Sequence, residues 1–182
     1  MSPESRISHI FVSPVPDSEK RPMGGYPMVE LQIAKLIEGL GIQSVDGNIV
    51  DRYAQGRGSY SRTRLEVRQL SLITQDAINR ANQSRRVEYQ FSPAETRRNI
   101  VIDGMTAEEL NNLLGKLIAL GAVEVRGVEL CEPCERPSAL SGKKGFGEAF
   151  INKGGESTGG LRVTILSSGI VRVNDRVLEI KE

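Results

Sequence analysis

Apolar residues in this 182-residue chain fall mostly into short runs, many alternating with polar residues and separated by glycine, proline and turn formers. The opening "RISHIFVSPVP" starts as a strand and ends in prolines, and "DSEKRPMGGYP" follows as a loop. Residues 28–37 fit two periods. Val29, Ile33, Leu36, Ile37 and Leu40 form a helical stripe, whereas Val29, Leu31 and Ile33 alternate with Glu30 and Gln32 as a half-buried strand would. "GLGIQSVDGN" breaks either element.

Farther on, "RLEVRQLSLIT" reads as a strand that gives way at Thr74, a good N-cap, to the short helix "QDAINRANQ". Ser92 and Glu95 in "SPAE", and Thr106 and Glu109, have capping-box spacing. Between them "NIVI" returns to β-branched residues, and after them Leu110, Leu113 and Leu114 form one apolar helical face that Gly115 ends. "LIALGAVEVRGVEL" alternates again, with Gly121 and Gly127 as turn or bulge positions. Residues 137–160 hold seven glycines and little periodicity, which predicts a long loop, functional or mobile. In the tail, Leu161, Val163 and Ile165 alternate, then Val171 and Val173, with "SSG" between; this predicts a β-hairpin and a last short strand. The sum is a single, mainly β domain over residues 1–182. It is a closed or partly open barrel of short strands, with brief helices near 74–83, 93–98 and 107–114.

Composition places the chain among soluble globular domains, with 38% hydrophobic and 26% charged residues. No apolar run approaches the roughly 18 residues that span a bilayer, and "MSPESRISHIFVSP" lacks signal-peptide order, so a cytoplasmic location is expected. Net charge is +1, yet residues 51–100 carry ten arginines against five acids. Arginine's planar fork suits phosphate and carboxylate, so this segment is either an anion site or a solvated surface with local ion pairs.

Both cysteines stand in "VELCEPCERP", delivered from a strand end. A C-x-x-C pair can be a metal clip, a redox disulfide, a nucleophile with a bystander, or packing. A structural zinc site wants four nitrogen or sulfur ligands, and the chain has two cysteines and the remote His9. A thioredoxin-type pair opens a helix, whereas Pro137 and a glycine-rich stretch follow here. What remains is a thiol near Arg136 able to attack, to carry sulfane sulfur or to ligate a soft metal, against two reduced cysteines packed under a loop. Strand alternation before the Pro133 turn predicts Cys134 exposed and Cys131 more buried. "GGESTGGL" has the glycines of an anion nest but lacks the lysine and strand-to-helix setting of a P-loop.

In order, "NIVDRYAQGRGSY", "LSLITQDAI", "ETRRNIVIDGM", "LNNLLGKLIALGAVEVRGVELCEPC" and "GGLRVTILSSGIVRVNDRV" resemble a MOSC domain, the module named after the C-terminal part of molybdenum cofactor sulfurases. The resemblance implies a small, mostly β barrel with a cysteine facing a cleft, and it reads residues 28–37 as strand. It assigns the functional cysteine to Cys134, which in relatives carries sulfur or binds the molybdenum of a pterin cofactor. Asp51, Arg52 and Tyr53, with Arg98 and Asn99, match the family's polar cleft residues, and Gly159, Gly160 and Leu161 its glycine-glycine-leucine signature. Asp51, Arg52, Arg98, Asn99, Gly159 and Gly160 are therefore the implied cofactor-binding set, Arg98 having the alternative of an ion pair with Glu95. Two departures are Val50, where relatives usually have glycine, and the absence of histidine from "KGGESTGGL".

The pyridoxal-phosphate desulfurase domain of full sulfurases is not visible in this sequence. The resemblance therefore implies a sulfur donor in trans, such as a cysteine desulfurase that itself holds the pyridoxal phosphate. Three functions follow. Cys134 carries sulfane sulfur for metal-sulfur or molybdenum cofactor assembly; or Cys134 ligates molybdenum in a cofactor-dependent reductase of N-hydroxylated compounds; or the arginine-rich segment serves an RNA-binding barrel. The last lacks the aromatic interleaving that base stacking needs, with only Tyr53, Tyr60, Tyr89 and Phe91 nearby.

Overall fold

The computed structural model describes residues 5–14, 27–51, 68–84 and 89–181. Eleven strands appear among them: β1 (Arg6–Val12), β2 (Val29–Leu31), β3 (Ile33–Ile37), β4 (Gly41–Ser44), β5 (Leu70–Thr74), β6 (Ile100–Asp103), β7 (Leu117–Leu120), β8 (Val123–Leu130), β9 (Leu161–Ile165), β10 (Gly169–Arg172) and β11 (Val177–Ile180). The helices are short: α1 (Gln75–Gln83), α2 (Ala107–Asn111), α3 (Arg136–Ser141) and α4 (Phe146–Ala149), with a 3-10 turn at Ala94–Thr96.

Eight strands form one curled sheet in the order β11-β7-β8-β9-β5-β6-β1-β2, and β10-β3-β4 form a second. All neighbours in the large sheet are antiparallel except β5 and β6, whose crossover contains α1 and the 3-10 turn. The curl brings β1 round to the chain entering β11. Ile7 N–H donates to the Asp175 carbonyl (2.9 Å) and Val177 N–H to that of Ser5 (2.9 Å). The architecture is the mainly β, partly open barrel expected from the sequence.

Alternation decides which side chains fill it. Leu70, Leu72, Ile100, Ile102, Val123, Val125, Leu161 and Val163 point into the main core. Ile73, Val101 and Phe11 face the other way into a second cluster under α1 and α4, with Phe91, Phe146 and Phe150. Covered on both faces, β6 can be the continuous apolar run "NIVI" that the sequence shows. The helical period in residues 28–37 loses to the strand period: Ala34 and Leu36 are fully buried, whereas Ile33 and Leu40 of the helical stripe are exposed.

Local signals work as their chemistry predicts. Thr74 accepts from Ala77 N–H to start α1, and Thr106 with Glu109 makes both bonds of a capping box at α2. At Ser92 only the glutamate bond of the box is clear: Glu95 accepts Ser92 N–H (2.7 Å), and the turn it opens ends in a left-handed Arg97. α2 stops at Asn111, so Leu114 is exposed while Leu110 and Leu113 are buried.

Three expectations need correction. A helix does follow the cysteine pair, since α3 opens at Arg136, two residues after Cys134, with Pro137 in its first turn. Residues 137–160 are not one long loop, because most of α3 and all of α4 lie within them and Phe146 and Phe150 stack with ring centroids 4.3 Å apart. The tail is no hairpin either: β9 already pairs with β8 and β5, so it has no free edge, and β10 crosses to the second sheet to pair with β3. Among the described residues no helix is long and apolar enough to cross a membrane.

Gly127, at a register shift between β8 and β9, donates its N–H to the Lys116 carbonyl (3.0 Å). A Cβ there would lie 2.3 Å from the Leu113 carbonyl oxygen, a backbone atom that cannot step aside. Gly127→Ala is therefore expected to destabilise the fold by about 2 kcal/mol or more. Gly142→Ala, left-handed but in open space, should cost about 1 kcal/mol. Urea unfolding of the two variants checks the difference.

Candidate functional site

β8 ends at Leu130, and Cys131 follows with its side chain wholly buried. Its backbone is held on both sides of the peptide: N–H donates to the Gly160 carbonyl (2.7 Å), and its carbonyl accepts from Ser157 Oγ (2.7 Å). This requires glycine twice. A Cβ on Gly159 would lie 2.6 Å from the Cys131 carbonyl oxygen, and one on Gly160, at φ +106°, would lie 2.1 Å from that of Leu72. Arg98 Nε donates to the Gly159 carbonyl (2.7 Å), Asn111 Nδ2 to the Ser157 carbonyl (2.7 Å) and Thr158 N–H to the Phe150 carbonyl (2.8 Å), fixing the glycine loop from three more elements.

Past Cys131 the chain bulges outward. Glu132, Pro133 and Cys134 make no hydrogen bond to any described residue, and Cys134 is exposed. The far end is pinned again at Glu135, whose carboxylate accepts from Gly147 N–H (2.7 Å) and Gly145 N–H (3.3 Å). Hydrogen bonds from Ser138 and Gly147 hold that carboxyl below its ordinary range. Residues 132–134 are thus an arch with two fixed feet, carrying the exposed thiol near its second foot. The two cysteines differ in burial as strand alternation predicted.

Arg98 stands beside the first foot, and among the described residues no carboxylate pairs with it. Glu95, the partner that the alternative reading gave it, takes Lys143 Nζ instead (2.7 Å). Burial alone would raise the Glu95 carboxyl, but Lys143 and Ser92 outweigh it and hold the group low.

Asn99 and Asp51 turn away from the arch. Asn99 Oδ1 accepts from Ser71 N–H (3.1 Å) and Oγ (2.9 Å), and Nδ2 donates to the Phe11 carbonyl (3.2 Å) and Asp51 Oδ2 (3.1 Å). Asp51 Oδ2 also accepts Ser13 N–H (2.8 Å), and both residues are buried. Together they tie β5, the end of β1 and the chain after β4. Arg97, counted in the sequence only as part of the arginine-rich segment, donates from Nη2 to Ser13 Oγ (2.9 Å) in this same polar belt. The belt extends across Ser71 to Arg162, which with Arg68 grips Glu129.

The structure thus gathers Cys131, Cys134, Arg98, Gly159 and Gly160 at one end of β8, with Asn99 and Asp51 behind. Arg52 and Tyr53, and with them Arg57, Arg62, Arg64, Arg85 and Arg86 of the arginine-rich segment, lie outside the described residues, as does the Arg136 side chain. Sequence reading also missed Ser157, Asn111 and Glu135. The one available signal was a serine two residues before the paired glycines.

A pterin cofactor held by the implied set would need donors facing the arch. The Gly159 N–H is engaged by Ser157 Oγ (3.1 Å), and the Asn99 amide N–H groups point to Phe11 and Asp51. Among the described residues no three His, Cys, Asp or Glu side chains converge on a common point. Asp51, Asn99 and Gly159 spend these groups within the fold and do not fit the cofactor-holding role; the Arg98 Nη groups have no hydrogen-bond partner among the described residues.

The model of the MOSC domain matches residues 59–178. Crystal structures of YuaD from Bacillus subtilis and of YiiM from Geobacillus stearothermophilus and Escherichia coli share the fold. For YuaD the TM-score is 0.65 at 15% identity, covering 95% of this chain and 93% of that one. For the two YiiM proteins the scores are 0.63 and 0.60, each at 13% identity, covering 97% of this chain and 75% and 70% of theirs. No curated protein matches the sequence.

As a structural hub, Asn99 supports three segments at once, so Asn99→Ala, which takes one partner each from Ser71 N–H, the Phe11 carbonyl and the buried Asp51 carboxylate, should destabilise the protein by about 2 kcal/mol or more. Arg98→Ala, which loses one half-exposed bond, should cost about 1 kcal/mol. Equal costs in chemical denaturation would contradict the division of roles.

Proposed function

The chain belongs to the MOSC domain family, and from that premise we propose that it is a sulfur carrier in which Cys134 accepts sulfane sulfur from a donor in trans and passes it on for metal-sulfur or molybdenum cofactor assembly. The observation that carries this reading is the exposed Cys134 on an arch anchored at Cys131 and Glu135. A carrier thiol must reach the active site of a donor protein and then an acceptor, which an outward arch allows and a recessed cleft would hinder.

The chemistry is one exchange run twice. Cys134 thiolate attacks the outer sulfur of a donor persulfide, R–S–SH; the S–S bond breaks, R–S⁻ leaves and takes up a proton, and Cys134–S–SH forms. An acceptor nucleophile then attacks that outer sulfur and Cys134 leaves as thiolate. No electron is gained or lost overall. Arg98, with its charge unpaired by any described carboxylate, stands beside the first foot of the arch, where it can meet an anionic group of the donor or acceptor. The donor is a protein of the cysteine desulfurase class, and the compartment is a reducing one such as the cytoplasm, where both thiols stay free.

The reductase reading asks for a molybdenum cofactor held by donors that this fold largely uses on itself. Reduced protein incubated with a cysteine desulfurase and cysteine should gain one sulfur atom on the Cys134 peptide, released by cyanide as thiocyanate, and Cys134→Ser should gain none. Failure of the wild type to load, together with stoichiometric molybdenum lost on Cys134→Ser, would replace the carrier by the cofactor enzyme.

A further inference from the structure

The carrier reading leaves Cys131 without a task, and the arch suggests one. Cys131 is inaccessible to solvent, and its N–H and carbonyl are both fixed to the glycine loop, so it cannot come out to meet an external partner. Cys134, three residues on, lies in the stretch that makes no hydrogen bond to any described residue, so it is the half of the pair free to travel. A C-x-x-C spacing is short enough for the two sulfurs to bond once the arch folds inward. A thiol sheltered from every reagent except its own neighbour is suited to one reaction.

We propose that Cys131 is a resolving thiol for the persulfide on Cys134. This rests on the carrier reading and adds a second way to discharge the sulfur. Cys131 thiolate attacks the inner sulfur of Cys134–S–SH; the inner S–S bond breaks, HS⁻ leaves and takes a proton, and a Cys131–Cys134 disulfide forms. The sulfane sulfur is reduced to sulfide by the two electrons that oxidise the thiol pair, so no outside oxidant enters. A dithiol reductant of the thioredoxin class then reopens the disulfide and resets the carrier. The product is hydrogen sulfide, which suits an acceptor that takes inorganic sulfide, whereas direct transfer from the arch suits an acceptor that attacks the persulfide itself.

The test uses the reduced full chain loaded with inorganic polysulfide and followed by intact and peptide mass spectrometry beside a sulfide assay. In the wild type, the added sulfur on Cys134 should disappear as free sulfide appears, leaving a 131–134 disulfide two hydrogens lighter than the dithiol. In Cys131→Ala the persulfide should persist about tenfold longer or more, and no disulfide should form. A wild-type persulfide as long-lived as that of Cys131→Ala, or sulfide release without the disulfide, overturns the resolving role while leaving the carrier intact. Failure of Cys134 to load in either protein overturns the carrier reading itself. Should Cys131→Ala fold poorly, the wild-type course alone decides, since disulfide and sulfide must appear together in equal amounts.

Discussion

Two missing side chains shape the end of β8. Gly159 and Gly160 let one backbone lie directly against two others, the Cys131 peptide and the Leu72 carbonyl, at separations that any Cβ would forbid. Everything placed around the thiols follows from that approach. It allows Gly160 to receive the Cys131 N–H and Ser157 to reach the Cys131 carbonyl, and it presents the Gly159 carbonyl to Arg98. The paired glycines therefore work by closeness, and the Gly159 amide, which looked available to an anion, is occupied by Ser157 Oγ.

From this contact the contrast between the cysteines follows. Fixing the strand end buries Cys131 beneath the loop, while the second anchor at Glu135 leaves Glu132 and Cys134 between the two exposed to solvent. Glu135 can serve as an anchor because α4 is itself nailed down by Phe146 and Phe150 in the outer apolar cluster. The large sheet thus has a core on each face. The inner one closes the barrel, and the outer one holds the helices that carry the far foot of the arch.

Much of this was legible in the sequence where local chemistry and tertiary packing agree. Thr74, Thr106 and Glu109 sit at helix starts because their oxygens satisfy orphan N–H groups, a demand that is the same in any fold. Strand periods were legible for the same reason, down to the shift at Gly127. Pairing was not: the alternation of β9 and β10 says nothing about which edges are free, and β9 had none left. The Phe146 and Phe150 spacing of one helical turn was visible, but glycines and lysines around it masked the period. Asp51 and Asn99 show the limit most clearly. Their residue types suit a ligand and a buried hub equally, and only the account of every N–H and carbonyl around Ser71, Phe11 and Ser13 separates the two.

The glycine contact is what presents the two thiols unequally. The direct measurement is timed alkylation of the reduced protein with peptide mapping, in the wild type and in Gly160→Ala. The native wild type should label at Cys134 alone, with Cys131 labelling only in denaturant, and Gly160→Ala should bring Cys131 labelling into the native state. Labelling of Cys131 at the rate of Cys134 in the native wild type would contradict it.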